Sequence, residues 1–200
     1  MPPQTLLLAT RNADKIVEIK EALRGLDIEL ISAASFAEIP EVEEDQPDLT
    51  GNAIKKAVTL ARLTGMTALA DDTGLEVDAL NGAPGVFSSR YSGPNATYAS
   101  NVQKLLLDLQ GIEAAQRTAR FRCVIAIARG EQVSTVEGVC EGLILEAPQG
   151  SDGFGYDPVF MIPDLRKTFA ELSVAEKNFI SHRGQALRKA RVVLEEFFQS

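Results

Sequence analysis

Two short apolar runs, "TLLLA" (5–9) and "TALA" (67–70), constrain this chain more than any other feature. Each is too brief for a helix and reads as a buried strand. Between them, apolar residues recur at helical spacing. Ile16, Ile19, Leu23 and Leu26 define a helix from about residue 14 to 24, with Asn12 or Asp14 as its N-cap. Ile54, Ala57, Val58 and Ala61 form the stripe of a second helix that Gly65 terminates. The acidic, proline-bearing stretch "EIPEVEEDQPDLTGNA" (38–53) separates the two and reads as a loop. A chain that alternates buried strands with amphipathic helices stacks those helices on a sheet, which is α/β organisation.

The remainder extends this pattern. A third helix is expected over roughly 96–110, with Val102, Leu105, Leu106 and Leu109 inward. "TARFRCVIAIARGEQVSTVEGVCEGLI" (118–144) alternates as an antiparallel pair that turns near Gly130–Gln132. "DPVFM" (157–161) reads as another strand, and "SVAEKN" fits a capping box of Ser173 with Glu176. A last amphipathic helix is expected over about 183–198. The expectation is a mixed-sheet α/β protein, residues 1–200 as one domain, with the hairpin in a second lobe covering roughly 112–165.

Charge narrows the partners. There are 28 acidic and 20 basic residues, a net charge of −8. A long nucleic-acid polymer needs a basic face, so none is expected as a partner. A small polyanion held by a local basic cluster and a metal ion stays possible. Cys123 and Cys140 show no CxxC or Cys/His spacing and read as reduced structural thiols. "MPPQTLLLATRN" has no charged n-region or long h-region, and no apolar run approaches membrane-spanning length. The expected setting is the cytoplasm, away from membranes.

Four constellations have chemistry to offer. "ATRNADK" (9–15) leads a strand through a polar turn into a helix whose first N–H groups attract anions, with Lys15 adding a point charge and Thr10 and Asn12 further hydrogen bonds. It lacks the GxxxxGK[ST] spacing, and alone it fits an ordinary strand–helix turn better than a ligand site. "ADDTG" sets Asp71 beside Asp72, either as a solvated turn or as a magnesium site. Neighbours on an extended chain point to opposite sides, so one carboxylate would ligate while the other orients. Glu41, Glu43 and Glu44 are candidates for a further ligand. In "SDGFGYDPVF" (151–160), Gly153 and Gly155 bracket Phe154, where backbone could approach a flat base stacked on the ring and Asp157 could accept its hydrogen bonds. In "AEKNFISHRGQAL" (175–187), Lys177, the only histidine His182, and Arg183 gather three donors suited to phosphate or carbonyl oxygens.

"LATRNADKIVEI", "ALADDTGLEVDALNGAPGVFSSRYSG", "GFGYDPVF" and "AEKNFISHRGQAL" follow one another over nearly the whole chain. Together they closely resemble the inosine triphosphate pyrophosphatase family, also called XTP/dITP diphosphatases or Ham1-like proteins. The resemblance implies a mixed-sheet α/β fold of the Ham1/Maf type, two lobes flanking a central nucleotide-binding groove, and a homodimer. It implies Mg²⁺-dependent hydrolysis of ITP, dITP and XTP to the monophosphate and pyrophosphate. On matching positions, Thr10, Arg11, Asn12, Ala13, Asp14 and Lys15 resemble the phosphate-contacting loop. Asp72 resembles the proton acceptor and metal-associated carboxylate, and Thr73 a substrate contact. Phe154, Gly155, Tyr156, Asp157, Lys177, His182 and Arg183 match the remaining nucleotide-binding positions, and Glu41 resembles a metal ligand. One stretch departs: many relatives read "ETGxTFxENAxxKA", and this chain has "EEDQPDLTGNAIKKA" (43–57), with Gly51 for the usual Glu and Leu49 for the usual Phe. Lys55 or Lys56 remains available to face phosphates.

The mechanism this implies is hydrolysis of a phosphoanhydride: Asp72 orients or deprotonates water, Lys15 and Lys177 bind phosphate oxygens, and Phe154 stacks the base. His182, Arg183 and backbone donors would favour a carbonyl at purine C6 over an amine. Two rivals stay open. A magnesium-dependent phosphomonoesterase would use Asp71 or Asp72 as nucleophile, although "ADDTG" lacks the DxDx[TV] arrangement. A nucleotide-binding regulator would bind without turnover.

Overall fold

Leu6, Leu7 and Leu8 are fully buried, and the strand that carries them, β1 (Gln4–Leu8), has a parallel partner on each side. One is β2 (Ile28–Ser32), in register Leu6↔Leu30; the other is β3 (Thr67–Val77), in register Leu6↔Thr67. The computed structural model describes residues 4–36 and 38–199, so Met1–Pro3 of the N-terminal stretch lie outside the described residues. The other strands are β4 (Pro84–Gly85), β5 (Thr118–Arg129), β6 (Gln132–Ile144), β7 (Phe160–Ile162) and β8 (Lys167–Thr168). Their hydrogen-bonding order is β2-β1-β3-β5-β6-β7-β8, with β4 on β3, in an open mixed sheet. β4 on β3, β7 on β6 and β8 on β7 are antiparallel.

The chain divides into two compact units. The first takes the chain through Asp72, then Cys123–Gly138, then the chain from Arg183 onward. Its helices are α1 (Ala13–Ala22), α2 (Leu49–Thr64) and nearly all of α5 (His182–Gln199). Asn12 caps α1 through Oδ1, which accepts from the N–H groups of Asp14 (2.9 Å) and Lys15 (3.1 Å). Gly65 closes α2 in the left-handed region at φ 70°, where a side chain would be strained. Ala186, Leu187, Ala190, Leu194 and Phe197 recur every three or four residues along α5 and pack on Leu6, Leu8, Ile19 and Ile125.

The second unit comprises Thr73–Arg122 and Val139–His182. It contains α3 (Tyr98–Asp108) and α4 (Val174–Ile180), each begun by a capping box: Thr97 with Ser100, and Ser173 with Glu176. Its core gathers Leu75, Leu105, Phe121, Phe160 and Phe169.

Several sequence-based boundaries move. The strand expected at 67–70 runs on to Val77, so Asp71 and Asp72 sit inside β3 and not in a turn after it. The loop expected to reach residue 53 ends at Asp48, whose Oδ1 accepts from Gly51 N–H at 2.7 Å and starts α2 five residues early. β2, β4 and β8 were not foreseen. Residues 157–159 form a turn, and the strand there begins only at Phe160.

Candidate active site

The alternation of β3 gives the two adjacent aspartates different neighbours. Asp71 is 2% exposed, and its Oδ2 accepts from Lys15 Nζ at 2.9 Å and from Arg183 Nε and Nη2 at 3.2 and 3.1 Å. Arg183, equally buried, also donates to the Glu18 carboxylate on α1. Burial raises the Asp71 pKa, but Lys15, Arg183 and Lys56 outweigh it and hold the carboxyl far below the usual range. Asp71 is therefore an anchor. It fixes the Lys15 ammonium in the first turn of α1, where the N–H groups of Asp14 and Lys15 are capped by Asn12.

That loop is itself ordered. Ala9 N–H donates to Leu69 O at 2.7 Å, Ser32 Oγ to Thr10 O at 2.8 Å, Asn12 N–H to Thr10 Oγ1 at 3.2 Å, and Arg11 to Ile39 O at 2.5 Å. Ala13 and Asp14 are exposed beside it. An anion at this helix head would meet the Lys15 ammonium and the positive end of the α1 dipole.

Asp72 has a different environment. Its Oδ1 accepts from Lys56 Nζ at 2.7 Å, and the same ammonium donates to Glu44 Oε1 at 2.9 Å and to Asp71 O at 2.8 Å. Burial raises the Asp72 pKa, Lys56 opposes it, and the adjacent Glu44 charge raises it again, leaving Asp72 at about 6. Burial acts on Glu44 too, but Lys56 overcomes it and Glu44 is lowered. The two carboxyls share the Lys56 ammonium, and burial leaves the deeper one raised while Lys56 leaves the shallower one lowered. Lys56 is raised: burial works against its ammonium, but Asp72, Glu44 and Asp71 prevail. A carboxylate titrating near neutrality is what a general base for water requires.

The oxygen donors of Asp72 and Glu44 suit a hard dication. Among the described residues, no group of three or more Asp, Glu, His or Cys side chains is placed to hold a metal by itself. An ion here would therefore complete its shell with ligand phosphates, as magnesium commonly does. Glu41 is exposed on the loop, and the acidic-loop carboxylate that meets Lys56 and Asp72 is Glu44. Of Lys55 and Lys56, Lys56 is the buried one, and Lys55 pairs with Asp45.

In the second unit the "GFGYD" turn is built around Asp157. Its Oδ2 accepts from Phe154 N–H at 2.8 Å and from Lys177 Nζ at 2.5 Å, with both charged side chains 4% exposed. Gly153 has φ +72°, and a Cβ there would lie 2.2 Å from that same oxygen, so only glycine fits. The Lys177 ammonium stands 4.8 Å from the centroid of the Phe154 ring and 5.4 Å from that of Phe169. Phe154 is half-buried and meets Tyr98 at 5.8 Å, and Tyr156 donates to Ser88 O at 2.9 Å. His182 lies on Phe121, with centroids 4.5 Å apart and planes 15° from parallel. Thr73 is half-buried on β3.

The expected residues thus gather within each unit. Thr10–Lys15, Asp72 and Arg183 belong to the first; Thr73, Phe154–Asp157, Lys177 and His182 belong to the second. Sequence reading missed Glu18, the partner of Arg183, and Tyr98 and Phe121, the aromatic neighbours of Phe154 and His182. One signal was available for Glu18: it lies one turn beyond Lys15 on the same helix, at i+3.

The fold and site are those of an α/β protein with an open mixed sheet, a capped helix head with a fixed lysine, and a buried carboxylate. The model of the Ham1 family matches residues 6–193, and this chain belongs to that family. A dITP/XTP pyrophosphatase of Desulforamulus reducens is 50% identical over 194 residues, 96% of each chain. The dITP/XTP pyrophosphatase of Bacillus subtilis is 47% identical over 192 residues, covering 94% of this chain and 96% of the relative. Among solved structures, a HAM1 protein from Coxiella burnetii superposes with a TM-score of 0.87 at 46% identity, covering 96% of this chain and 99% of that one. The Staphylococcus aureus Ham1 protein gives 0.85 at 36% identity over the same shares.

Proposed function

We propose that this chain is a nucleoside-triphosphate pyrophosphatase that hydrolyses ITP, dITP and XTP to the monophosphate and pyrophosphate. The observation that carries this reading is Asp72: a buried carboxylate tied to Lys56, which also grips Glu44, in a chain half identical to a dITP/XTP pyrophosphatase. Asp72 accepts a proton from water as it attacks the phosphoanhydride. The Lys15 ammonium and the positive end of the α1 dipole bind phosphate oxygens, and Lys56 adds positive charge beside Asp72. Arg183 acts through Asp71, which its guanidinium grips, and so sets the Lys15 ammonium. Asp72 with Glu44 or Glu41 would hold Mg²⁺, which when bound would offset negative charge developing on the leaving pyrophosphate.

Recognition of the base belongs to the second unit. Phe154 offers a face for stacking, Lys177 is fixed by Asp157 against that ring, and His182 is held flat on Phe121. Donors from His182 and backbone N–H groups favour a C6 carbonyl, and a buried donor left facing an amine costs about 1–3 kcal/mol. The enzyme works as a homodimer in the cytoplasm on a small nucleotide, with no nucleic-acid polymer or membrane as partner. Among the described residues, no helix is long and apolar enough to cross a membrane.

The test is product identity. Purified protein with ITP, XTP, dITP, ATP or GTP, with and without Mg²⁺, should release pyrophosphate from the first three only when Mg²⁺ is present. Orthophosphate as the product would indicate a phosphomonoesterase, and binding without turnover a regulator. Asp72→Asn should bind ITP with kcat reduced about 10²–10⁴-fold, and near-normal turnover would remove Asp72 from its role. Light scattering on the eluting protein measures the oligomer.

A further inference from the structure

Gly51 occupies the third position of α2 with ordinary helical backbone, so no unusual φ calls for glycine there. In a helix, glycine is about 1 kcal/mol less favourable than alanine. Its reason is space. A Cβ on residue 51 would lie 2.8 Å from Gln46 Cβ and 3.2 Å from Gln46 Cγ. Gln46 Cβ is anchored to the main chain, so relief would require the loop itself to move. The same loop residue is gripped at its backbone: Gln46 N–H donates to Asn52 Oδ1 at 3.0 Å, and Asn52 is 1% exposed. Asn52 Nδ2 has no hydrogen-bond partner among the described residues, so its buried amide is held for what the oxygen does. One turn further along the same face of α2, Lys56 grips Glu44. A single helix thus holds the acidic loop at two points two residues apart, the main chain at 46 and the carboxylate at 44.

We propose that Gln46 and Gly51 form a positioning pair: the missing side chain at 51 seats the loop so that Glu44 reaches Lys56 beside Asp72. The proposal rests on the pyrophosphatase reading for its catalytic consequence, while its geometric content stands alone. Neither residue touches substrate; both act through Glu44.

The test is a double-mutant cycle of Gly51→Glu, Gln46→Gly and the pair, with Gly51→Ala as the milder probe. Displacing a catalytic group by about 1 Å can cost up to 10²-fold, so Gly51→Glu should lower kcat about 10- to 100-fold. Its half-saturating Mg²⁺ concentration should rise, which a mere loss of folded enzyme would not cause. The double variant should recover to within about threefold of the parent, because residues in contact are non-additive. In crystals, Lys56 Nζ and Glu44 should separate in Gly51→Glu and return to hydrogen-bond distance in the pair. If Gly51→Glu fails to fold, Gly51→Ala decides through the same readouts. Retained kcat and Mg²⁺ dependence in the single variant, or a double variant no better than Gly51→Glu, would overturn the proposal. Absence of ITP hydrolysis by the parent protein would instead sink the activity reading, and the crystal distances would still judge the positioning.

Discussion

Ionised Asp72 is a cost to this fold, and the sign of that cost can be worked out. Its pKa in the folded protein is about 6, above the reference value of 3.8. The group's contribution to stability is therefore fully present below pH 3.8 and is lost as pH rises through about 6. Asn at this position cannot ionise. In metal-free buffer, the melting temperature of Asp72→Asn relative to the parent should rise by a few degrees between pH 4.5 and pH 8, for about 1–3 kcal/mol at most. Thermal melts at the two pH values check this, and a difference that does not change with pH would refute it. Stability gained by removing the residue that carries the chemistry is the expected trade at a strained site. The two carboxylates considered for the metal are separable in the same way. Glu44 shares Lys56 with Asp72, and Glu41 is exposed. Calorimetric titration with Mg²⁺ in the presence of a non-hydrolysable ITP analogue should show a larger loss of affinity for Glu44→Gln than for Glu41→Gln, and the reverse order would return the role to Glu41.

At the scale of elements, what could be read from the sequence was what is built from neighbours in the sequence. Asn12 caps α1 and Ser173 pairs with Glu176 through contacts two or three residues apart, so their residue types announce them. β3 was cut short because two aspartates resemble a turn, and what keeps them in a strand is Lys15 from α1, Lys56 from α2 and Arg183, 112 residues beyond Asp71. No local pattern carries such partners. β2 was missed for a related reason: its "IELIS" gains strand character from pairing with β1. The "GFGYD" turn was legible as glycine-rich, but its working part, Asp157 bonded to both Phe154 N–H and Lys177, was not. This yields a prediction for the turn. Gly153→Ala sets a Cβ against Asp157 Oδ2 and breaks the bond that presents Phe154. KM for ITP should rise about tenfold or more with kcat changed far less, since a stacking contact is made in ground and transition states alike. Steady-state kinetics would show it, and a fall in kcat alone would mean that the turn serves the chemistry and not the base.

For the whole molecule, each compact unit has its own core and, by chance of sequence, its own buried thiol. Cys123 lies in the first with Leu6, Leu8 and Leu187, and Cys140 in the second with Phe121 and Phe160. Two separate cores would ordinarily permit two separate unfolding transitions. Against that stands the connectivity: β3, β5 and β6 each begin in one unit and end in the other, so neither unit can release its strands without unravelling a strand of its neighbour. The chain is therefore expected to unfold as one. Burial raises the Cys140 pKa to about 11, with the charge of Glu141 adding to it, so the native thiol is slow to react near pH 8 and labelling reports opening. Pulsed alkylation across a urea series, with the two cysteines resolved by mass, should give coincident midpoints for Cys123 and Cys140. Phe160→Ala, a core truncation in the second unit that costs about 3–5 kcal/mol, should lower both midpoints together. If Cys140 alone became reactive at lower urea in that variant, the shared strands would not couple the two cores, and the units would be independent in stability.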